Sequence, residues 1–331
     1  MNESNHSYLD RFFLKLGRGQ LPRYVTAAAR AAGVVWICAM FLPATISWRY
    51  RRARRGLRAG GRNGAVGGPL TSCLCTQAQH DSPTFRAWAA RMGEPHEMHR
   101  KQWEFCLIAQ ALHERGLLRP GARGLGFAVG QEPLPALFAG HGCAIVASDL
   151  AEDAAREAGW VDTRQHATSF EALNARGLCP ADRFRELTRF RVVDMNAISP
   201  DLRDFDFLWS ACALEHLGSI EHGERFIHRA MACLKPGGVA VHTTEFNLSF
   251  EHYTPKRGPT VVFRRRDIER IAATLRADGH EIELDLREGD LPFDRFVDVP
   301  PYKHPFLKLL LFSRLHGCVS TSIGLIIRKG S

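Results

Sequence analysis

From residue 85 onward, amphipathic helices alternate with short apolar strands, and this alternation constrains the fold more than any other feature. Strands alternating with helices are typical of a mostly parallel sheet with helices on both faces. The sequence therefore predicts an α/β domain. Predicted strands cover 122–129, 143–150, 190–198, 239–246, 281–286 and 320–329, predicted helices cover 96–118, 133–142, 223–238 and 266–280, and 205–217 begins as a strand and ends as a short helix.

A glycine turn follows the first of these strands, and an acidic residue ends the second. Within GLGFAVGQEP (124–133), Gly126 and Gly130 let the backbone turn sharply and approach a ligand closely. Asp149 comes nineteen residues after Gly130, at the end of the next strand. This spacing suits a carboxylate that accepts hydrogen bonds from two ribose hydroxyls. The pattern predicts a nucleotide-type ligand.

Further polar residues mark the ends of the third and fourth strands. Asp194 ends the third strand beside Met195 and can accept from an adenine amino group, whereas Ser210 and Ala211 end the fourth. Because ligands of open α/β sheets bind outside the carboxyl ends of the strands, we expect these positions to converge on one crevice.

The series GLGFAVGQEP, ASDL, VDMNAI, DFDFLWSACALEHL and LKPGGVAVHTTEFN resembles the motif series of class I S-adenosylmethionine (SAM)-dependent methyltransferases, over nearly all of 96–330. The resemblance implies a Rossmann-like, doubly wound, seven-stranded sheet with an antiparallel last strand, and SAM as the cofactor. It places the methionyl part beside Gly126, Ala128 and Gly130, the ribose at Asp149 with Leu150, the adenine at Asp194 and Met195, and the sulfonium at Ser210 and Ala211.

The glycine turn departs from the pattern of the family at three points. Gly124 to Gly126 stand where the family usually has an acid, Ala128 replaces its usual first glycine, and Glu132 replaces its third. We expect Glu132 to bind the ammonium group of SAM instead.

Two residues after the fourth strand are the predicted catalytic pair. Histidine is the side chain that most often acts as a general base, and His216 is the candidate for that role, with Glu215 beside it. The alternative for His216 is a helix cap or a hydrogen bond to a local carbonyl.

The acceptor pocket is predicted to include His242 and Glu245, at the end of the fifth strand, and Tyr253 in the insertion 247–265. The alternative for His242 is a core position. Arg100, Lys101 and Trp103 lie on a predicted helix that covers SAM or that simply packs on the domain.

The predicted reaction is methyl transfer to a small-molecule or saccharide acceptor, at oxygen. The sequence lacks the Asn-Pro-Pro-Tyr-like tetrad that would favour a base or amide nitrogen. A catalytically silent scaffold on this fold is the first alternative, and an NAD(P)-dependent oxidoreductase, which the glycine spacing permits weakly, is the second. A second insertion, 287–318, contains FLKLLLFSRLHG, which predicts a helix. No metal site is predicted.

Charge divides the chain into two predicted parts, an N-terminal extension (1–84) and a methyltransferase domain (85–330). Residues 1–70 contain twelve Lys and Arg but two Asp and Glu, whereas the rest contains 32 basic and 33 acidic residues. A nearly neutral domain lacks the basic surface that nucleic-acid binding requires. We therefore expect no nucleic-acid partner.

The extension contains an apolar run, 31–48, followed by an Arg- and Gly-rich stretch, 49–84. Eighteen uncharged residues reach the lower limit for a membrane-spanning helix. The arginines that follow would then place the domain in the cytoplasm, anchored to the cytoplasmic face. The sequence is also compatible with a disordered basic extension of a cytoplasmic enzyme, or with translation starting later, for example at Met92 or Met98.

Overall fold

The computed structural model describes residues 46, 48–49, 69–157, 166, 169–249, 254–299, 302, 306–313 and 316–331. Most of the apolar run 31–48 and the predicted pocket residue Tyr253 lie outside these residues. Within the described part of the chain, no helix is long and apolar enough to cross a membrane.

The described residues form one ten-stranded sheet. Its strands are β1 (Ser72–Leu74), β2 (Arg123–Phe127), β3 (Ala144–Asp149), β4 (Thr188–Val192), β5 (Phe205–Ala211), β6 (Leu234–Asn247), β7 (Glu281–Ile282), β8 (Leu284–Asp285), β9 (Lys308–Ser313) and β10 (His316–Arg328).

Helices connect these strands and cover the sheet. They are α1 (Gln77–His80), α2 (Pro83–Arg91), α3 (Arg100–Glu114), α4 (Leu134–Gly140), α5 (Glu152–Glu157), α6 (Ala181–Leu187), α7 (Ile220–Ala230), α8 (Arg265–Ala277) and α9 (Pro292–Arg295), and short 3₁₀ turns lie at Glu171–Asn174, Leu214–His216 and Met231–Cys233.

The strand order confirms the predicted Rossmann-like fold. Strands β4, β3, β2, β5 and β6 are parallel neighbours in that order. The last strand, β10, is antiparallel to β6, with Ser320 opposite Asn247 and Arg328 opposite Val239. On its other edge β10 pairs with β7. These seven strands have the arrangement that the resemblance predicted.

Three further strands extend this sheet beyond the seven that were predicted. β1 pairs with β10, and β8 pairs with β1. β9 forms an antiparallel pair with the first half of β10. The long strand β10 pairs with several short strands along its second edge, and these bring the sheet to ten strands.

The predicted domain boundary at residue 85 falls inside this folded unit. β1 lies before it and hydrogen-bonds within the sheet, with Cys73 opposite Gly324. The Trp88 side chain on α2 is buried as well. The stretch from 72 to 98 thus packs with the residues that follow the predicted boundary.

Two apolar segments fold differently from the prediction. The run 306–317 was predicted as a helix, but Lys308–Ser313 is the strand β9. The predicted helix 223–238 ends at Ala230, and β6 already begins at Leu234. A short apolar run fits a buried strand as well as a buried helix, and here pairing with a neighbouring strand decides.

The core fills both faces of the sheet. One face packs against α2, α3 and α4, with Trp88, Trp103, Phe138 and Trp209 in a single cluster. Trp103 is fully buried there, so this residue of α3 has a packing role. The opposite face packs against α7 and α8. Its cluster includes Leu125, Phe127, Phe226, Ile268 and Leu275.

Candidate active site

A cavity of about 770 Å³ lies at the carboxyl ends of the parallel strands. This is the edge at which ligands of open α/β sheets bind. The sheet order divides the cavity into two halves. The first half follows β2, β3 and β4 and is lined by Ala128, Val129, Gly130, Gln131, Glu132, Asp149, Leu150, His166, Val193, Asp194, Met195 and Asn196. The second half follows β5, β6 and the start of α3 and is lined by His99, Arg100, Lys101, Phe105, Ala211, Cys212, Ala213, Glu215, His216, Leu217, Glu245, Thr260 and Leu309.

The Asp149 carboxylate is fixed at the end of β3 by two backbone groups. The N–H of Gly130 donates to Oδ2 at 3.1 Å, and the N–H of Leu150 donates to Oδ1 at 2.9 Å. A carboxylate has about four lone-pair positions and can accept from several donors at once. The carboxylate is therefore preorganised to accept from two neighbouring hydroxyls of a ligand.

The turn after β2 has the left-handed backbone that glycine favours. Both Ala128 and Gly130 have a φ of 50°. This conformation costs an L-residue free energy because its Cβ crowds the following carbonyl. Ala128, which stands where the family usually has its first glycine, adopts this conformation nevertheless. The backbone of the turn is therefore strained at Ala128.

Gly126 has a packing role, and it is not among the residues that line the cavity. It lies in β2, and a Cβ added to it would sit 2.4 Å from the Trp209 ring and 2.5 Å from Val129. Gly124 is equally crowded, by Phe207. These two glycines let large aromatic side chains of β5 pack closely against β2. The spacing of glycines in the sequence cannot distinguish this packing role from a contact with a ligand.

Glu132 lies at the end of the same turn, buried against the sheet. Its Oε1 accepts from the indole N–H of Trp209 at 2.5 Å. Burial raises the pKa of the Glu132 carboxyl to about 8, although the Trp209 hydrogen bond and the positive charge of Lys101 oppose this rise. A cation that entered the cavity here would favour the ionised form of Glu132.

The predicted adenine residues also line the first half. Asp194 is exposed, and its Oδ1 accepts from the backbone N–H of Asn196 at 2.8 Å. Met195 beside it is buried and offers an apolar surface. Of the two residues predicted at the sulfonium, Ala211 lines the cavity.

Ser210 and His242, both predicted site residues, form a buried pair outside the cavity lining. The Ser210 Oγ and His242 Nδ1 atoms are 2.8 Å apart. His242 is fully buried, and burial lowers its pKa to about 3. This corrects the acceptor-pocket assignment of His242. Side chains alternate along a strand, so Glu245, three residues on in β6, points to the opposite face and lines the cavity.

The α3 helix contributes two cations that the sequence placed on a covering helix. Arg100 contacts Glu245 through Nη2, and its Nη1 donates to Ser322 at 3.1 Å. Lys101 lies 3.4 Å from the buried Glu104. Burial works to lower the pKa of the Arg100 guanidinium, but the surrounding carboxylates raise it overall. Arg100 is therefore a fixed cation in the wall of the cavity.

Glu104 was missed by the sequence reasoning, although it holds both cations in place. Its carboxylate is fully buried one helical turn after Arg100 and accepts from Ser322 and Cys212. Burial works to raise its pKa, but Lys101 and Arg100 lower it overall. The i, i+4 spacing of Arg100 and Glu104 was the available signal, since residues four apart on a helix are neighbours.

The predicted catalytic residues, His216 and Glu215, both line the second half of the cavity. His216 lies in the 3₁₀ turn after β5, and its Nδ1–H donates to the Pro259 carbonyl at 2.9 Å. A carbonyl only accepts, so this bond places the proton on Nδ1 and the basic lone pair of the neutral ring on Nε2. The hydrogen bond to a backbone carbonyl, which was the alternative role predicted for His216, is thus present. This bond orients the imidazole ring.

No protein-family model matches the chain, and no curated protein sequence matches it. Solved structures do match. Magnesium protoporphyrin IX methyltransferase from Synechocystis PCC 6803, with bound SAM, is 15% identical, with coverage of 76% of this chain and 94% of that chain and a TM-score of 0.38.

Two further solved structures are similar to the same extent. A putative sarcosine dimethylglycine methyltransferase from Galdieria sulphuraria is 15% identical, with coverage of 75% and 99% and a TM-score of 0.40. The Burkholderia thailandensis 1,6-didemethyltoxoflavin-N1-methyltransferase is 16% identical, with coverage of 77% and 82% and a TM-score of 0.39. Identities and TM-scores this low do not indicate which substrate this protein binds or which reaction it catalyses.

Proposed function

We propose that this protein is a methyltransferase that transfers the methyl group of SAM to a hydroxyl group of a small molecule, saccharides included. The observation that carries the proposal is one cavity with two kinds of lining. The first half presents the preorganised Asp149 carboxylate beside a left-handed turn, and the second presents His216 and Glu215.

The cavity has suitable groups for each part of SAM. Asp149 would accept from the two ribose hydroxyls, and Met195 with Asp194 would hold the adenine. The amino-acid end of SAM carries an ammonium and a carboxylate. Glu132 and Lys101 lie close enough to influence one another electrostatically, and they supply the opposite charges for those two groups. Asp149, Asp194 and Met195 are given the roles that the resemblance implies, whereas Gly126 and Ser210, which do not line the cavity, are given none.

The chemistry that SAM supplies when bound is a methyl group on a positively charged sulfur, which is a strong electrophile. The protein's task is to hold the acceptor oxygen in line with that methyl group and to remove its proton. Positioning supplies a large share of such rate enhancements. His216 would take the hydroxyl proton on Nε2, because its Nδ1 is committed to Pro259.

Calorimetric titration of the full chain with SAM tests the cofactor assignment, with NADH titrated in parallel. We expect SAM to bind and Asp149→Asn to weaken it about 100-fold, since hydrogen bonds to a charged group contribute roughly 1.5–3 kcal/mol each. Asp182→Asn, on the exposed surface of α6, is the matched control and should bind SAM normally. A folded chain that binds NADH but no SAM would establish the oxidoreductase alternative instead.

The catalytic assignment is tested by transfer of a labelled methyl group from SAM to a panel of hydroxyl compounds. His216→Asn should lower kcat by a factor of about 10²–10⁴, the usual contribution of a general base, with an unchanged Kd for SAM. SAM binding without transfer to any acceptor would favour the scaffold alternative.

A further inference from the structure

The second half of the cavity contains more negative than positive charge. Three carboxylates, Glu104, Glu215 and Glu245, surround two cations, Arg100 and Lys101. Both cations are already engaged. Arg100 contacts Glu245 and Glu104, and Lys101 contacts Glu104. The third carboxylate forms no salt bridge with either cation, although both act on it electrostatically from a longer distance.

That carboxylate is Glu215, whose side chain is 1% exposed. Its Oε2 accepts from the Thr244 hydroxyl at 2.8 Å. Among the described residues, no cation forms a salt bridge with Glu215, and the side-chain hydrogen bond to its carboxylate comes from Thr244. Burial raises the pKa of the Glu245 carboxyl. The nearby charge of Glu215 raises this pKa further. The Glu215 and Glu245 carboxyl groups thus lie close enough to interact electrostatically in this part of the cavity.

A buried charge without a partner is costly, and proteins normally pair such groups or neutralise them. Glu215 lines the cavity, so a ligand can reach it. A ligand that brings a positively charged N–H donor would complete its hydrogen bonding and balance its charge at once. Of the described cations that line this half, Arg100 and Lys101, both already contact carboxylates, so an anionic acceptor would compete with Glu104 and Glu245 for them.

On the basis of the proposed function, we propose that the acceptor carries a protonated amine that binds Glu215, next to the hydroxyl that is methylated. Amino alcohols and amino sugars have this combination of groups. Glu215 and His216 are adjacent in the chain, so the amine and the hydroxyl would be bound by neighbouring residues of one 3₁₀ turn. Phe105, Leu309 and Thr260 would contact the remainder of the acceptor.

The test compares three probes of similar size on full-length protein saturated with S-adenosylhomocysteine. Benzylamine is cationic at neutral pH, benzyl alcohol is neutral and benzoate is anionic. Their dissociation constants are measured by NMR titration. We expect benzylamine to bind at least ten times more tightly than either of the others. Equal affinity for benzylamine and benzyl alcohol, or no binding of any probe, overturns the proposal.

Glu215→Gln removes the charge and keeps the shape. It should reduce the affinity for benzylamine to that for benzyl alcohol, without altering the Kd for S-adenosylhomocysteine. Glu269→Gln, on the exposed side of α8, is the matched control and should preserve the amine preference. A preference that survives in Glu215→Gln contradicts the assignment to this residue. If Glu215→Gln fails to fold, the wild-type ratio of the three probes still decides.

The proposed function and this inference fail separately. Absence of S-adenosylhomocysteine binding would contradict the proposed cofactor, and the amine preference could still be measured on the ligand-free chain. Normal cofactor binding without an amine preference would leave the proposed methyl transfer intact and remove only the amine.

Discussion

The indole N–H of Trp209 donates to Oε1 of Glu132 over 2.5 Å, in a part of the cavity wall that water scarcely reaches. Trp209 belongs to the central strand β5, and Glu132 ends the turn after β2. The bond therefore ties the position of a ligand-facing carboxyl to the packing of the sheet. Because burial raises the pKa of this carboxyl to about 8, Glu132 is mostly protonated at pH 7 in the ligand-free protein.

Cofactor binding should consequently depend on pH. If the SAM ammonium binds to Glu132, the complex favours the ionised carboxyl, and a proton is released on binding at pH values below 8. The Kd for S-adenosylhomocysteine should fall by up to about tenfold per pH unit between pH 6 and 8. Calorimetry in two buffers of different ionisation enthalpy measures the released proton directly.

Glu132→Gln is the control for this pH dependence. It keeps an acceptor for the Trp209 N–H but cannot ionise, so its Kd should vary little over the same range. A wild-type Kd that is constant from pH 6 to 8 would contradict the pairing of Glu132 with the ammonium.

His242 should make the protein sensitive to acid. Its pKa is lowered by burial to about 3 in the folded state, against about 6.5 in an unfolded chain. The unfolded state therefore binds a proton that the folded state does not bind as the pH falls from 6.5 to 3. The free energy of unfolding should decrease by up to about 1.4 kcal/mol per pH unit in this range, measured by urea denaturation.

The variant His242→Gln should show a shallower decrease, because a neutral amide can still bond to Ser210 without gaining a proton in the unfolded state. His113→Gln removes an exposed imidazole on α3 and should retain the wild-type slope. Identical slopes for both variants would locate the acid sensitivity elsewhere.

Ala128→Gly should stabilise the protein. The φ of 50° at Ala128 is unfavourable for a residue with a Cβ, whereas glycine adopts it readily. Allowing for the greater entropy of glycine in the unfolded chain, we expect the free energy of unfolding to rise by up to about 1 kcal/mol. Ala273→Gly, on the exposed side of α8, should lower it by about 1 kcal/mol. Changes of the same sign in both variants would argue against strain at Ala128.

Gly126→Ala should destabilise the sheet and weaken cofactor binding together. The new Cβ would overlap the Trp209 ring at 2.4 Å, and displacing that ring disturbs the bond to Glu132. We expect a loss of about 1–3 kcal/mol in the free energy of unfolding. Gly116→Ala places a Cβ where no other atom lies within 4 Å, so it should cost only the strain of its φ of 67° and leave binding unchanged. Wild-type binding by Gly126→Ala would indicate that Trp209 does not position Glu132.

The sequence by itself determined the parts of this protein that depend on local pattern. Alternating apolar segments predicted the parallel strands, because helices and buried strands differ in period and length. The spacing from Gly130 to Asp149 predicted the carboxylate beside the turn, because a β-turn-α-β unit of that length returns the chain to the same edge of the sheet. His216, Glu215 and Glu245 were predicted to line the acceptor side because they lie after the fourth strand or at the end of the fifth.

Only the tertiary structure decided the features that join distant segments. The pairing of β1 and β9 with β10 is non-local, and neither short apolar run indicates its partner. Gly126 packs against Trp209, 83 positions later in the sequence, so its role depends on a contact that spacing cannot reveal. The separation of His242 from Glu245 depends on which face of β6 meets the cavity. The salt bridges of Arg100 and Lys101 with Glu245 and Glu104, which leave out Glu215, could not be predicted, because charge pairing depends on distances in space.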